Sequence, residues 1–194
     1  MKAWELLGET RTPEDLDMRL TRRDNEYVIL VDGKTLMSSR MHGSEEALAT
    51  LACRDLTKIE RPRVLVGGLG MGFTLRATLD VVPADAAVIV AELVPAVVEW
   101  NRGPLAPLAG YPLSDRRVRV ELANVGFTLR GNTDRFDAIL LDVDNGPAAF
   151  TTTDNCGLYD NAGVAASFSA LKAGGTLAHS LLALRLFDEE ERPV

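Results

Sequence analysis

From residue 63 onward, short continuous apolar runs alternate with segments whose apolar residues recur every three or four positions. Runs of the first kind suit strands buried on both faces, and the second spacing suits one face of a helix. The pattern predicts strands at residues 63–66, 87–91, 118–121 and 137–141, with helices at 72–80, 94–101 and 125–130 between them. A polar loop follows from Asp142 to about Gly157, then a helix over about 159–171, the turn Lys172-Ala173-Gly174-Gly175 and a fifth strand from Thr176 to Leu182. Strict alternation of this kind predicts a parallel sheet with right-handed crossovers and helices on both faces.

Ahead of Pro62 the pattern changes. Tyr27-Val28-Ile29-Leu30-Val31 and Lys34-Thr35-Leu36-Met37 are strand-like and flank Asp32-Gly33, a dipeptide suited to the left-handed residues of a tight hairpin turn. Ser44, followed by Glu45 and Glu46, opens an apolar-periodic helix to about Leu56, with the Ser44 hydroxyl as cap and the acids matched to the helix dipole. The chain thus divides into a small β appendage over residues 1–43 and an α/β, Rossmann-like nucleoside-binding domain over 44–194.

The first strand of that domain runs into Gly67-Gly68-Leu69-Gly70-Met71-Gly72. Glycines at 67, 68, 70 and 72 let the backbone turn sharply and approach a ligand closely, and the next helix begins with free N–H groups. Glu92 ends the second strand and is placed to accept ribose hydroxyls. Strand four ends in Asp142-Val143-Asp144-Asn145-Gly146-Pro147, which sets two carboxylates and an amide at the same edge. A carboxylate there can hold a cationic amine and accept the proton that an attacking amine must lose. The same residues also suit an ordinary turn. Asn124, after strand three, can bond a base edge or satisfy local backbone.

A net charge of −7 with scattered Lys and Arg argues against nucleic-acid binding and favours a cationic or neutral small substrate. The Arg116-Arg117 and Arg119 cluster reads as a solvated strand entrance. Cys53 and Cys156 have no metal-ligand company, so no metal is expected; Cys53 fits a core position and Cys156 a polar loop. No apolar run approaches a membrane span and the start has no signal core, which predicts a cytoplasmic protein. Trp100 and Phe73 read as core residues and His179 as structural, while His42, where appendage and sheet meet, is either a substrate contact or a local hydrogen-bonding residue near a helix start.

Together, Gly67 to Gly72, Val90-Ala91-Glu92-Leu93, Phe136 to Asp142, Tyr159 and Leu171 to Leu177 resemble the spermidine synthase family of polyamine aminopropyltransferases, over most of residues 25–182. The resemblance implies a methyltransferase-type Rossmann-like sheet and decarboxylated S-adenosylmethionine as co-substrate. It implies that the glycine turn holds the aminopropyl and sulfonium end, Glu92 the ribose, Asn124 the adenine amino group, and that Asp142 is the catalytic aspartate, with Asp144 beside it. Tyr159 and Asn145 join His42 as candidate amine contacts. Leu69 or Met71 stands where that family usually has an aspartate, and Ala123-Asn124 replaces its Gly-Asp pair.

Such sheets generally finish with an antiparallel hairpin, but only Ala183 to Val194 follow Leu182, so that hairpin is expected to be missing. The fifth strand would then be an edge, shielded by the N-terminal segment or by a second copy in a homodimer. Two other readings fit the same residues. Asp144-Asn145-Gly146-Pro147 is similar to the tetrad with which amine methyltransferases orient nitrogen, which points to S-adenosylmethionine as methyl donor. The departures at 69, 71, 123 and 145 also suit a catalytically inactive binding or scaffold protein.

Overall fold

The computed structural model describes residues 2–143 and 157–179. Four antiparallel strands come first: β1 (Glu5–Arg11), β2 (Asp17–Arg23), β3 (Glu26–Val31) and β4 (Lys34–Ser38), paired in chain order. The expected hairpin is the β3–β4 pair, with Asp32 and Gly33 both at positive φ as its turn requires. Strands β1 and β2 extend this hairpin into a sheet. Met18 pairs with Val31 and Leu20 with Ile29, and all four side chains are buried on one face.

Helix α1 (Gly43–Cys53) then leads to β5 (Arg63–Gly67), α2 (Phe73–Val81), β6 (Ala87–Glu92), α3 (Pro95–Arg102), β7 (Val118–Leu122), α4 (Val125–Arg130), β8 (Phe136–Leu141), α5 (Asn161–Ala170) and β9 (Leu171–His179). The five later strands form a parallel sheet in the order β7-β6-β5-β8-β9. The architecture is the expected Rossmann-like α/β sheet with helices on both faces.

Because side chains alternate along a strand, each buried strand supplies two cores. Val64, Val66, Val88, Val90, Ala138 and Leu140 pack with α1, α2 and α3. Leu65, Ile89, Ala91, Ile139 and Leu141 pack with α4 and α5. The inner face of the N-terminal sheet joins the first core through Met18, Leu20, Ile29 and Val31. Gly8 on β1 lies flat against the Trp100 indole of α3, where a Cβ would collide with Nε1. The absence of a side chain at Gly8 therefore lets the small sheet dock.

Three local expectations are corrected. Helix α1 begins at Gly43 with His42 as its cap residue, and the Ser44 hydroxyl donates to the Glu45 carboxylate at 2.7 Å instead of capping the helix. Arg117 is not solvated: it forks onto Asp115 at 3.0 and 2.7 Å and reaches the Val82 carbonyl at 3.1 Å, holding the Asp115 carboxyl down at about 2. The last strand starts at Leu171, and the expected turn at 172–175 is the interruption in its pairing with β8. Residues 180–182 of that strand, Cys156 and the expected loss of a C-terminal hairpin lie outside the described residues. Among the described residues, no helix is long and apolar enough to cross a membrane.

Candidate functional site

The order β7-β6-β5-β8-β9 reverses direction at β5: the chain steps outward through β6 to β7, then returns to β8 on the other side. Connections leave β5 and β8 on opposite faces at such a point and open a crevice at the carboxyl ends of the strands. The glycine turn follows β5 and Asp142 follows β8, so both stand at this crevice. Hydrogen bonds from Asp142 N to Gly67 O and from Gly68 N to Ala91 O, both 2.9 Å, continue the sheet to its rim.

A cleft of about 680 Å³, including its open mouth, lies here. Its floor is Gly68, Gly70, Glu92, Asn124 and Asp142, and its roof is Met18, Ile29, Leu36 and Met37 from the N-terminal sheet. The roof depends on a bulge. Ile29 pairs with Met37 but Leu30 pairs with Thr35, which leaves Leu36 as an extra residue on β4. Successive strand residues ordinarily face opposite ways, and the bulge is what allows both Leu36 and Met37 to line the cleft.

The glycines divide their work. Gly68, at φ +89, passes so close to the Asp142 carbonyl that a Cβ would collide with it. Gly70 lies beneath the Met37 thioether, 2.8 Å from where a Cβ would stand. Gly67 and Gly72 are placed outside the cleft lining: a Cβ on the first would press on Val125 and Leu141, and on the second on Asn101 and Pro112. Their smallness serves packing behind the turn.

Glu92 is buried, and its two carboxylate oxygens accept from Leu69 N at 2.9 Å and from Val94 N at 2.8 Å. Burial raises its pKa, and the N–H groups of Val94, Leu69, Leu93 and Gly70 oppose that shift. The carboxylate thus ties the glycine turn to the end of β6 while still lining the cleft. Asn124 satisfies local backbone, its Oδ1 capping α4 by accepting from Gly126 N at 2.8 Å, and the residue also lines the cleft.

Asp142 accepts a short hydrogen bond from the Thr74 hydroxyl, on the first turn of α2. It lines the cleft and also a second, smaller cavity with Ser38, Glu45, Met71, Phe73 and Thr74. Met37 and Gly70 border both spaces. A molecule in either cavity therefore reaches the same carboxylate.

The other expected contacts lie apart from these cavities. His42 stacks on Phe73 at 4.4 Å and pairs with Glu46 at 3.0 Å, and Tyr159 meets His179 edge-on at 4.4 Å. Neither lines either space. Asp144 and Asn145 lie outside the described residues. Among those described, no cluster of His, Cys, Asp and Glu could hold a metal ion. Sequence reasoning missed the roof residues, Thr74, Glu45 and Asn101. Only Asn101 carried a local signal, a lone amide among the apolar positions Val97, Val98 and Trp100.

No family model matches the sequence, and neither does any curated protein. Solved structures do match the fold. Spermidine synthase from Thermotoga maritima superposes with a TM-score of 0.72 at 21% identity, over 95% of this chain and 63% of its own. A spermidine synthase in complex with the transition-state analogue AdoDATO superposes at 0.70 with 20% identity, over the same 95% and 63%. The chain thus spans less than two thirds of the length of either neighbour, and what it shares with them is a spermidine synthase-like fold.

Proposed function

We propose that the cleft binds decarboxylated S-adenosylmethionine and that the protein transfers its aminopropyl group to an amine such as putrescine. The observation that carries this reading is the charge of the site. Glu92 and Asp142 are the only ionisable side chains among the described residues lining the cleft. A donor bearing a sulfonium and an amine suits two carboxylates, whereas the carboxylate of intact S-adenosylmethionine would find no side-chain cation among these described residues.

In this reading Glu92, held open by backbone donors, accepts the ribose hydroxyls, and Asn124 stands at the adenine end. The apolar roof covers the nucleoside and lowers the local polarity, which strengthens each charged contact. The acceptor amine enters the smaller cavity, where Glu45, Ser38 and Asp142 supply oxygen acceptors. Its nitrogen attacks the methylene next to sulfur, the C–S bond breaks with its electron pair passing to sulfur, and methylthioadenosine leaves. Asp142 takes the proton lost by the nitrogen, and the Thr74 hydroxyl fixes the carboxylate that receives it.

Parallel calorimetric titrations with decarboxylated S-adenosylmethionine, S-adenosylmethionine and methylthioadenosine test the proposal, followed by an assay for methylthioadenosine release with putrescine. Tightest binding of the decarboxylated donor and amine-dependent release are expected. Preference for intact S-adenosylmethionine overturns the aminopropyl reading in favour of methyl transfer, and binding of none of the three overturns the nucleoside reading.

A further inference from the structure

The glycine turn is clamped from two sides. On one side the N–H of Leu69, the residue before Gly70, donates to the Glu92 carboxylate at 2.9 Å. On the other, the Gly70 carbonyl accepts from Asn101 Nδ2 at 2.8 Å. Asn101 is on α3 with 1% of its surface exposed, and its second amide hydrogen goes to the Val97 carbonyl of its own helix at 2.9 Å. Two carbonyl partners on Nδ2 define which way the amide faces. Its Oδ1 is then buried with no hydrogen-bond donor among the described residues, 2.8 Å from where a Cβ on Gly72 would stand.

Packing alone does not account for this residue. It stands among the buried apolar residues Val97, Val98 and Trp100 of α3, where a leucine of nearly the same size would leave no orphaned carbonyl. What leucine cannot supply is a donor to Gly70, a residue at φ +51 that lines both cavities. We infer that Asn101 is a positioning residue for the nucleoside: it holds the Gly70 carbonyl toward α3, so that the turn and the Glu92 carboxylate it bonds stay in ligand-ready geometry. This rests on the nucleoside reading above for its ligand, but not for its first test.

The experiment compares the full-length parent with Asn101→Leu, and with Ser167→Ala as a control that loses a buried side-chain bond to Gly163 O in α5, on the opposite face of the sheet. Asn101→Ala, which adds no bulk, is read in the same way if leucine is not accommodated. Three quantities are measured: the urea midpoint, amide hydrogen exchange in peptides covering residues 67–72, and affinity for methylthioadenosine. For Asn101→Leu the expected result is a midpoint close to the parent's, exchange in 67–72 faster by about tenfold or more with β8 unchanged, and affinity weaker by about tenfold. Ser167→Ala leaves the turn's exchange and the affinity unchanged. A folded Asn101 variant whose turn exchanges at the parent's rate overturns the inference whatever the ligand does, as does parental affinity in a variant with a loosened turn. Faster exchange in a chain whose parent binds no methylthioadenosine keeps Asn101 as the anchor of the turn and overturns the nucleoside reading instead.

Discussion

Among the described residues, Asp142 is the one carboxylate that both cavities share, and the Thr74 hydroxyl already orients it. An Asp142→Asn variant keeps the size and loses the proton acceptor. Its turnover is expected to fall by roughly 10²- to 10⁴-fold, with methylthioadenosine affinity changed little, as read by product release beside calorimetry. A proportional loss of affinity and turnover would mean that Asp142 binds and does not take a proton. Gly68 tests the turn itself. At φ +89, with the Asp142 carbonyl in the path of a Cβ, Gly68→Ala is expected to lower stability by about 1–3 kcal/mol in urea unfolding, because the backbone must leave its conformation to admit the methyl group.

At the scale of elements, the site exists only because two sheets meet. The parallel sheet contributes a rim of loops, and the antiparallel sheet lowers an apolar roof onto it through the Leu36 bulge. Deleting Leu36 restores regular pairing between β3 and β4, leaves Met37 opposite Ile29 on the roof face, and removes one of the four side chains of the roof. The expected outcome is retained strand content by circular dichroism and methylthioadenosine affinity weaker by about tenfold or more, since the roof loses the apolar side chain of Leu36. Unchanged affinity would show that the roof is incidental to binding. The same joint explains why β1 carries a glycine where it crosses Trp100: the roof's height is set by the direct contact of backbone and indole.

For the whole molecule, His179 couples stability to pH. Buried at the end of β9 against Tyr159, its imidazole is pushed down to about 4 from 6.5 by desolvation. The unfolded chain therefore binds a proton that the folded chain refuses, so this contribution to stability is full above about pH 6.5 and is lost as pH falls toward about 4. The loss amounts to about 2 kcal/mol by about pH 5. Urea midpoints across that window, compared with those of His179→Leu, check it: the variant should lack this part of the slope. The homodimer expected from the outer position of β9 is a separate matter for sedimentation, and a monomer at every concentration would remove it.

Most of the parallel sheet was legible in the sequence because its cause is local. Strands buried on both faces need unbroken apolar runs such as Val64 to Val66 and Ile139 to Leu141, and their alternation with helical spacing leaves few topologies. Gly68, Gly70, Glu92 and Asp142 were legible for the same reason, since strand ends and turn residues mark the rim where ligands bind. The β1–β2 pair was less so, because its half-exposed strands show the alternation weakly. The roof, the second cavity and the Asn101 clamp were decided by tertiary structure alone. Met37 faces the turn through a bulge that no residue type announces, Glu45 and Asp142 meet across nearly a hundred residues of chain, and Asn101 finds Gly70 only once α3 is laid on the sheet. Sequence by itself determined the scaffold and the rim; packing between the two sheets determined what the rim encloses, because a cavity is a property of surfaces brought together and not of any one segment.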